Sequence, residues 1–265
     1  MSKQETPSAL VRAECRDDIA LLTLDRPKAL NALSRELSRQ FVACLDDLAK
    51  RTDCKVLVIT GAGRAFCAGL DLKEVESGGL DAVAGADVPD PAAAIESFPV
   101  PVIAAVNGAA ITGGFELVLA SDIILAGEAA LFADTHAKVG VVPGWGLSQR
   151  LSRLVGLYRA KELSLTGRFV NAREAYEWGI VNRVVPDDEL INAAMTMARS
   201  ILANAPGVTE AIGSLIDEGF DLALGDALEL EALRSKAWNE NLTAAALEGR
   251  RGAVSAAGRA HVRGR

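Results

Sequence analysis

Two glycines followed by a glutamate form the pattern in this chain that is best suited to chemistry. Gly113 and Gly114 precede a run with apolar residues at helical spacing, and Glu116 lies in the predicted first turn of that helix. The first N–H groups of a helix have no intrahelical partner and carry partial positive charge, so a glycine-lined helix start can hold an anion or a developing oxyanion. Glu116 either presents a carboxylate beside that anion, or it only stabilises the helix through its charge interaction with the helix dipole.

A second glycine-rich turn, residues 61–73, follows a β-branched, apolar strand predicted over residues 54–60. This turn carries Leu70 and Lys73, and it has neither the spacing of a dinucleotide-binding loop nor that of a Walker A loop. A loop at residues 25–33 contributes the basic side chains of Arg26 and Lys28. The apolar run at residues 102–106 predicts the buried strand that leads towards the glycine pair.

Strands and helices alternate early in the chain and helices gather late, which predicts an α/β core followed by a helical segment. We expect a hairpin over residues 10–24, a helix capped by Ser34, and a mobile loop over residues 77–91. From residue 187 the pattern is helical to about residue 247, with breaks predicted at residues 205–207 and 225–226. We place the core at residues 8–200 and a helical region with a basic tail at residues 201–265.

Composition excludes several classes of protein. Of the 265 residues, 50% are hydrophobic and 24% are charged, as in ordinary globular chains, and the net charge of -7 argues against a nucleic-acid surface. No apolar run reaches the roughly 18 residues that a membrane span needs, and the first seven residues lack a signal-peptide core. The four cysteines have no metal-ligand spacing, so we expect reduced thiols, a cytoplasmic protein, and neither a metal nor a redox cofactor.

Several motifs occur together, in order, over residues 25–186. They are DRPKALNAL at residues 25–33, FCAGLDLK at 66–73, PVIAAVNG at 101–108, GGFEL at 113–117 and GVVPG at 140–144. Together they resemble the enoyl-CoA hydratase/isomerase (crotonase) superfamily. The resemblance implies an α/β fold, a crotonase-like spiral of ββα units, with a helical C-terminal region used in trimers that often pair into hexamers. It also implies a coenzyme A (CoA) thioester as ligand, with no other cofactor.

The same resemblance assigns roles by motif position. Two backbone N–H groups hold the thioester oxygen in this superfamily, and here they belong to Leu70 and Gly113. Ala68 lies where the family backbone contacts the adenine. The candidates for contact with the CoA phosphates are the side chains of Arg26, Lys28 and Lys73. The alternative is that these residues are ordinary solvated charges on the protein surface.

The acid–base residues match the superfamily unevenly. Family hydratases use two glutamates around one water; Glu116 occupies the first position, and His136 stands at the second. A histidine can exchange the proton at C2 because its ordinary pKa lies near neutral pH, but it can equally be a hydrogen-bonded structural residue. Asp134 is the other candidate, unless it only caps a turn, and Trp145 either shapes the acyl pocket or packs.

The chain therefore resembles most an enoyl-CoA hydratase of fatty acid metabolism, adding water across the 2,3 double bond of a trans-2-enoyl-CoA. Isomerisation, or another reaction through a thioester enolate, is the alternative within the same site. An acyl-CoA-binding homologue with weak or no turnover is the alternative of a different class.

Overall fold

The computed structural model of the protein describes residues 9–240, 242–243, 247–248, 250–252 and 259. The chain divides into two compact units, one ending at Pro206 and the other beginning at Gly207. Most of the predicted basic tail at residues 249–265 lies outside the described residues.

Two β-sheets form the framework of the first unit. One contains six described strands: β1 (Val11–Arg16), β2 (Ile19–Leu24), β3 (Val56–Gly61), β5 (Val102–Val106), β7 (Ile123–Gly127) and β10 (Arg183–Val185). The other contains four described strands: β4 (Ala65–Cys67), β6 (Ala109–Ile111), β8 (Leu131–Ala133) and β9 (Phe169–Asn171). The strand orders are β1-β2-β3-β5-β7-β10 and β4-β6-β8-β9, and only the pairs β1–β2 and β8–β9 are antiparallel in the described part.

The connectivity repeats a unit of two strands and a helix. β3 and β4 precede α2 (Leu72–Gly78), β5 and β6 precede α5 (Gly113–Leu119), and β7 and β8 precede α6 (His136–Val139). In each unit the first strand joins the larger sheet and the second joins the smaller sheet. The predicted α/β spiral of ββα units is thereby confirmed.

The remaining helices of the first unit cover or link the sheets. They are α1 (Arg35–Ala49), α3 (Asp81–Ala84), α4 (Pro91–Glu96), α7 (Leu147–Val155), α8 (Leu157–Thr166), α9 (Ala172–Glu177) and α10 (Leu190–Leu202), with short 3-10 turns at Pro27–Ala29 and Asp187–Glu189. The predicted cap of α1 is confirmed, because the Ser34 hydroxyl accepts a hydrogen bond from the Leu37 N–H at 3.1 Å.

The core covers the larger sheet on both faces. Every residue of β3 is buried, as expected for a parallel strand with packing on each side. On one face Leu57 and Ile59 belong to the large cluster that includes the apolar side of α1, and on the other face Val56 and Val58 pack with α10. This packing fixes the strand ends from which the loops and helix starts of the site emerge.

Two expectations for local structure were wrong. The predicted loop at residues 77–91 contains the end of α2 and all of α3, since Val83 is fully buried and the Arg35 guanidinium donates to the Ala82 carbonyl at 2.9 Å. The late helical break lies at residues 221–223 rather than 225–226. Gly225 falls in the first helical turn, where the N–H has no intrahelical partner and a glycine costs little.

The second unit contains α11 (Val208–Phe220) and α12 (Leu224–Asn239), which contact each other. An ion pair joins them, with Arg234 Nη2 2.8 Å from Glu218 Oε2. Among the described helices of the chain, none is both long and apolar enough to cross a membrane.

Candidate active site

Glu116 is held in a buried position at the start of α5. The helix can begin this close to β4 because residue 114 is glycine; a Cβ there would lie 2.0 Å from the Cys67 carbonyl oxygen. Only 2% of Glu116 is exposed, and its Oε1 accepts hydrogen bonds from the backbone N–H groups of Trp145 at 2.9 Å and Leu147 at 3.3 Å. The turn before α7 therefore fixes one carboxylate oxygen and leaves Oε2 for other contacts.

Burial raises the pKa of Glu116 above its ordinary value, because the charged form loses its hydration. The hydrogen bond from Trp145 and the nearby His136 oppose this rise without cancelling it, and Asp134 adds to it. A carboxylate with a raised pKa takes up and releases a proton more readily near neutral pH, which suits acid–base work.

His136 and Asp134 lie beside Glu116, so the structure brings the three predicted acid–base residues together. His136 Nε2 is 3.8 Å from Glu116 Oε2, which is too long for a hydrogen bond but close enough for a charge interaction. The other ring nitrogen, Nδ1, is 2.7 Å from Asp134 Oδ1, and the backbone N–H of His136 donates to the same oxygen at 3.1 Å. Asp134, His136 and Glu116 form a buried row in that order.

Asp134 has the properties of a permanent hydrogen-bond acceptor. Burial alone would raise the pKa of its carboxyl, but the hydrogen bonds from His136, together with the nearby Ser164 hydroxyl, outweigh burial and hold the pKa below its usual range. An ionised carboxylate accepts hydrogen bonds and cannot donate them, so the neutral ring of His136 carries its proton on Nδ1. Nε2 is then the nitrogen that faces Glu116. The geometry makes Asp134 the hydrogen-bond partner of the histidine, and a direct part for Asp134 in proton transfer stays a prediction.

The two candidate oxyanion donors also come together. Gly69 adopts a left-handed φ of +92°, and a Cβ there would lie 2.8 Å from the Ile111 carbonyl oxygen and 3.5 Å from the Gly113 nitrogen. The turn that carries Leu70 therefore lies directly against the start of α5. Within the described part of the chain, neither the Leu70 N–H nor the Gly113 N–H donates to another residue. Both amides are free to bind an external oxygen.

Arg26 stabilises the turn that carries Leu70. Its Nη1 lies 2.5 Å from Asp71 Oδ2 and donates to the Ala32 carbonyl at 3.1 Å. Burial would raise the pKa of Asp71, but the hydrogen bond and charge of Arg26 outweigh it and lower that pKa. The guanidinium of Arg26 is therefore already paired with Asp71, the residue that follows Leu70.

The other three predicted CoA contacts lie on or near the surface around this turn. Lys28 and Lys73 are exposed, one in the 3-10 turn Pro27–Ala29 and the other in the first turn of α2. Ala68 is half-buried, and its N–H donates to the Leu30 carbonyl at 3.0 Å. Their contacts with CoA, like that of Arg26, stay predictions.

Residues on the turn before α7 complete the site, and the sequence pattern singled out only one of them, Trp145. Its backbone N–H holds Glu116, and its ring lies against Gly113, where an added Cβ would be 3.1 Å from Trp145 Cζ3. Arg150 donates to the Trp145 carbonyl at 2.8 Å and pairs with Glu96 at 2.6 Å, which fixes the turn. Backbone contacts of this kind leave no residue-type signal in a sequence.

No group of three or more His, Cys, Asp or Glu side chains suited to hold a metal ion occurs among the residues that the structure describes. What the site offers is a pair of backbone donors, a buried carboxylate of raised pKa and a histidine backed by a second carboxylate. This combination can stabilise an oxyanion while moving a proton at a neighbouring atom.

Comparison with known proteins agrees with this arrangement. The sequence profile of the enoyl-CoA hydratase/isomerase family matches residues 14–250. The chain is 41% identical over 225 residues to the probable enoyl-CoA hydratase 1, peroxisomal, of Arabidopsis thaliana. This alignment covers 85% of this chain and 84% of the relative. It is 36% identical over 220 residues to the short-chain-enoyl-CoA hydratase of Clostridium acetobutylicum, covering 81% and 83%.

A solved structure gives the same result for the fold. The crystal structure of enoyl-CoA hydratase from Bacillus anthracis superposes with a TM-score of 0.82 at 34% identity, covering 93% of this chain and 96% of that one. With the profile match and the two relatives, this shows that the chain belongs to the enoyl-CoA hydratase/isomerase (crotonase) family.

Proposed function

We propose that this protein is an enoyl-CoA hydratase of fatty acid metabolism, acting on trans-2-enoyl-CoA. The observation that carries the proposal is the buried row of Asp134, His136 and Glu116 beside the two free amides of Leu70 and Gly113. The names of the Arabidopsis and Clostridium relatives support the same reaction.

The amides of Leu70 and Gly113 bind the thioester oxygen and form the oxyanion hole. When water adds at C3, the electrons of the 2,3 double bond move towards the thioester, and negative charge collects on that oxygen. Preformed donors stabilise this charge without reorganisation, and loss of one such donor typically costs about 10²–10³ in rate.

Glu116 and His136 divide the proton transfers. Glu116 takes a proton from the water that attacks C3, and protonated His136 gives the proton on Nε2 to C2, so that one water is added in total. Asp134 stabilises the imidazolium before this step and keeps the ring oriented after it. Glu116 Oε2 and His136 Nε2 are 3.8 Å apart, so the proton gained by Glu116 returns to the histidine through a water bound to both atoms, ready for the next turnover.

Turnover of crotonyl-CoA tests the proposal, with loss of the conjugated absorbance as the rate and mass spectrometry to identify 3-hydroxybutyryl-CoA. We expect activity in the wild type and its loss in Glu116→Gln and in His136→Ala. A wild type that hydrates no enoyl-CoA of any chain length would overturn the proposal. Acyl-CoA binding without any product would favour the binding homologue instead.

Isomerisation is the second candidate, because Glu116 is the one carboxylate among the described residues that faces His136 Nε2, while Asp134 is bound to the other ring nitrogen. A single carboxylate can carry a proton between C2 and C4 without adding water. Conversion of 3-butenoyl-CoA to crotonyl-CoA, lost in Glu116→Gln and not accompanied by hydration, would establish this reaction.

Three further properties accompany the proposal. The reaction needs no metal or redox cofactor, since CoA arrives as part of the substrate. We also propose trimers or hexamers assembled through the second unit, where α11 and α12 expose large apolar side chains such as Ile216, Phe220 and Leu228. A cytoplasmic location stays a prediction, because one relative is named peroxisomal and another mitochondrial.

A further inference from the structure

Thr112, directly before Gly113, has a backbone conformation that threonine rarely adopts. Its φ is 53° and its ψ is -112°. A β-branched residue at positive φ is a genuine outlier, and such conformations persist only where the surrounding structure holds them. A glycine would adopt these angles without steric cost, so the hydroxyl is what a threonine adds at this position.

The polar groups of Thr112 all contact elements of the active site. Its N–H donates to the Ala133 carbonyl at 2.8 Å, and its carbonyl accepts from the Glu116 N–H at 3.0 Å. Its Oγ1 accepts from the Thr135 N–H at 3.2 Å and lies 2.5 Å from Thr135 Oγ1. Thr112 thus connects the strand before Asp134, the residue after Asp134, and the helix that carries Glu116.

We propose that the Thr112–Thr135 hydroxyl pair is a positioning device that sets the oxyanion donor and Glu116 against the Asp134–His136 pair. This inference rests on the proposed function. The backbone geometry is the reason: ψ of Thr112 sets the rotation of the peptide plane that contains the Gly113 N–H, so the angle of -112° fixes the direction of that donor. Thr135 stands between Asp134 and His136, so its two hydrogen bonds hold the segment that carries both.

Paired variants separate the hydroxyl from the backbone. Thr112→Gly fits the backbone angles and removes the hydroxyl, while Thr112→Ser keeps the hydroxyl; Thr135→Val and Thr135→Ser make the same comparison on the other side. Thr196→Val is the matched control, because the Thr196 hydroxyl only donates to the Asn192 carbonyl at 2.8 Å in α10. A small misplacement of catalytic groups can cost about 100-fold in rate.

For crotonyl-CoA hydration we expect kcat to fall about 10–100-fold in Thr112→Gly and Thr135→Val, with KM within about threefold of wild type. Thr112→Ser, Thr135→Ser and Thr196→Val should keep kcat near the wild-type value. The same fall in the two serine variants would overturn the inference, because the hydroxyl would then not be the group that matters. Unchanged kcat in both Thr112→Gly and Thr135→Val would overturn it as well.

A second readout does not depend on hydration. The ¹⁵N shifts of the His136 ring, recorded in a His261→Gln background at a pH where the ring is neutral, report which nitrogen carries the proton. We expect the Nδ1–H form in wild type and Thr135→Ser, and a mixture of tautomers in Thr135→Val. If the wild type hydrates nothing but this contrast appears, the proposed function fails and the positioning role stands. Identical ring shifts in all three proteins would overturn the positioning role, whatever the wild-type activity.

Discussion

Replacing Asp134 by asparagine removes the charge behind His136 and keeps the shape of the side chain. The Oδ1 position must remain an oxygen, because it accepts both from the His136 backbone N–H at 3.1 Å and from the ring Nδ1 at 2.7 Å. The amide nitrogen of the asparagine then takes the place of Oδ2, a buried oxygen that has no hydrogen-bond partner in the described part of the chain. The ring should therefore keep its tautomer and lose only the charge that stabilises the imidazolium.

The size of the effect follows from the change in the hydrogen bond. A bond to a charged group contributes about 1.5–3 kcal/mol and a neutral one about 0.5–1.5 kcal/mol, so the loss is about 1–1.5 kcal/mol. At 1.36 kcal/mol for each factor of ten, we expect kcat for crotonyl-CoA hydration to fall about 10-fold in Asp134→Asn.

Initial rates of crotonyl-CoA hydration by wild type, Asp134→Asn and His136→Gln test this role of Asp134, with Asp47→Asn as the control. Asp47 is an exposed residue that pairs with Lys50 at 3.2 Å. Loss of a general acid typically costs about 10²–10⁴ in rate, which is what we expect for His136→Gln. An Asp134→Asn rate as low as that of His136→Gln would mean that Asp134 itself transfers the proton. An unchanged rate would refute its role behind the histidine.

Three other substitutions have defined outcomes. Glu116→Gln should lower kcat about 10²–10⁴-fold. It should also raise the thermal unfolding temperature at neutral pH: the raised pKa of Glu116 means that ionisation costs stability above that pKa, and the gain should vanish as the pH falls below the unfolded value of about 4.3. Gly114→Ala should destabilise the fold by about 1–3 kcal/mol in urea unfolding, since its Cβ would meet the Cys67 carbonyl oxygen. Arg26→Met should cost about 1.5–3 kcal/mol in the same assay by leaving Asp71 without its guanidinium, and wild-type stability would contradict this.

The sequence predicted the helix start of the site and little of what surrounds it. Two glycines and a glutamate before an apolar run are a local signal, and the structure places Glu116 in the first turn of α5. The hydrogen bonds from the Trp145 and Leu147 amides to Glu116 were not predictable, because every residue except proline carries an N–H and folding alone decides which one meets a carboxylate. The significance of position 136 came from family resemblance, and only the geometry shows that Asp134 stands behind its ring.

The fold likewise contains elements that the sequence predicted and elements that it did not. The sequence predicted the hairpin at residues 10–24 and the strands at 54–60 and 102–106, which all lie in the larger sheet. Strands β4, β6, β8 and β9 of the smaller sheet have three residues each and are too short to show a periodicity. Glycine, aspartate and proline between residues 77 and 91 favoured a loop, yet burial of Val83 supports the short helix α3 there. Tertiary packing overrode local preference in this segment.

Hydration of crotonyl-CoA in D₂O by wild type and His136→Gln tests the proposed division of labour most directly. The wild type should form 3-hydroxybutyryl-CoA carrying one deuterium at C2, and His136→Gln should form it about 10²–10⁴-fold more slowly. A His136→Gln rate within about twofold of wild type would contradict the role of the histidine, and a wild type that adds no water would contradict the account as a whole.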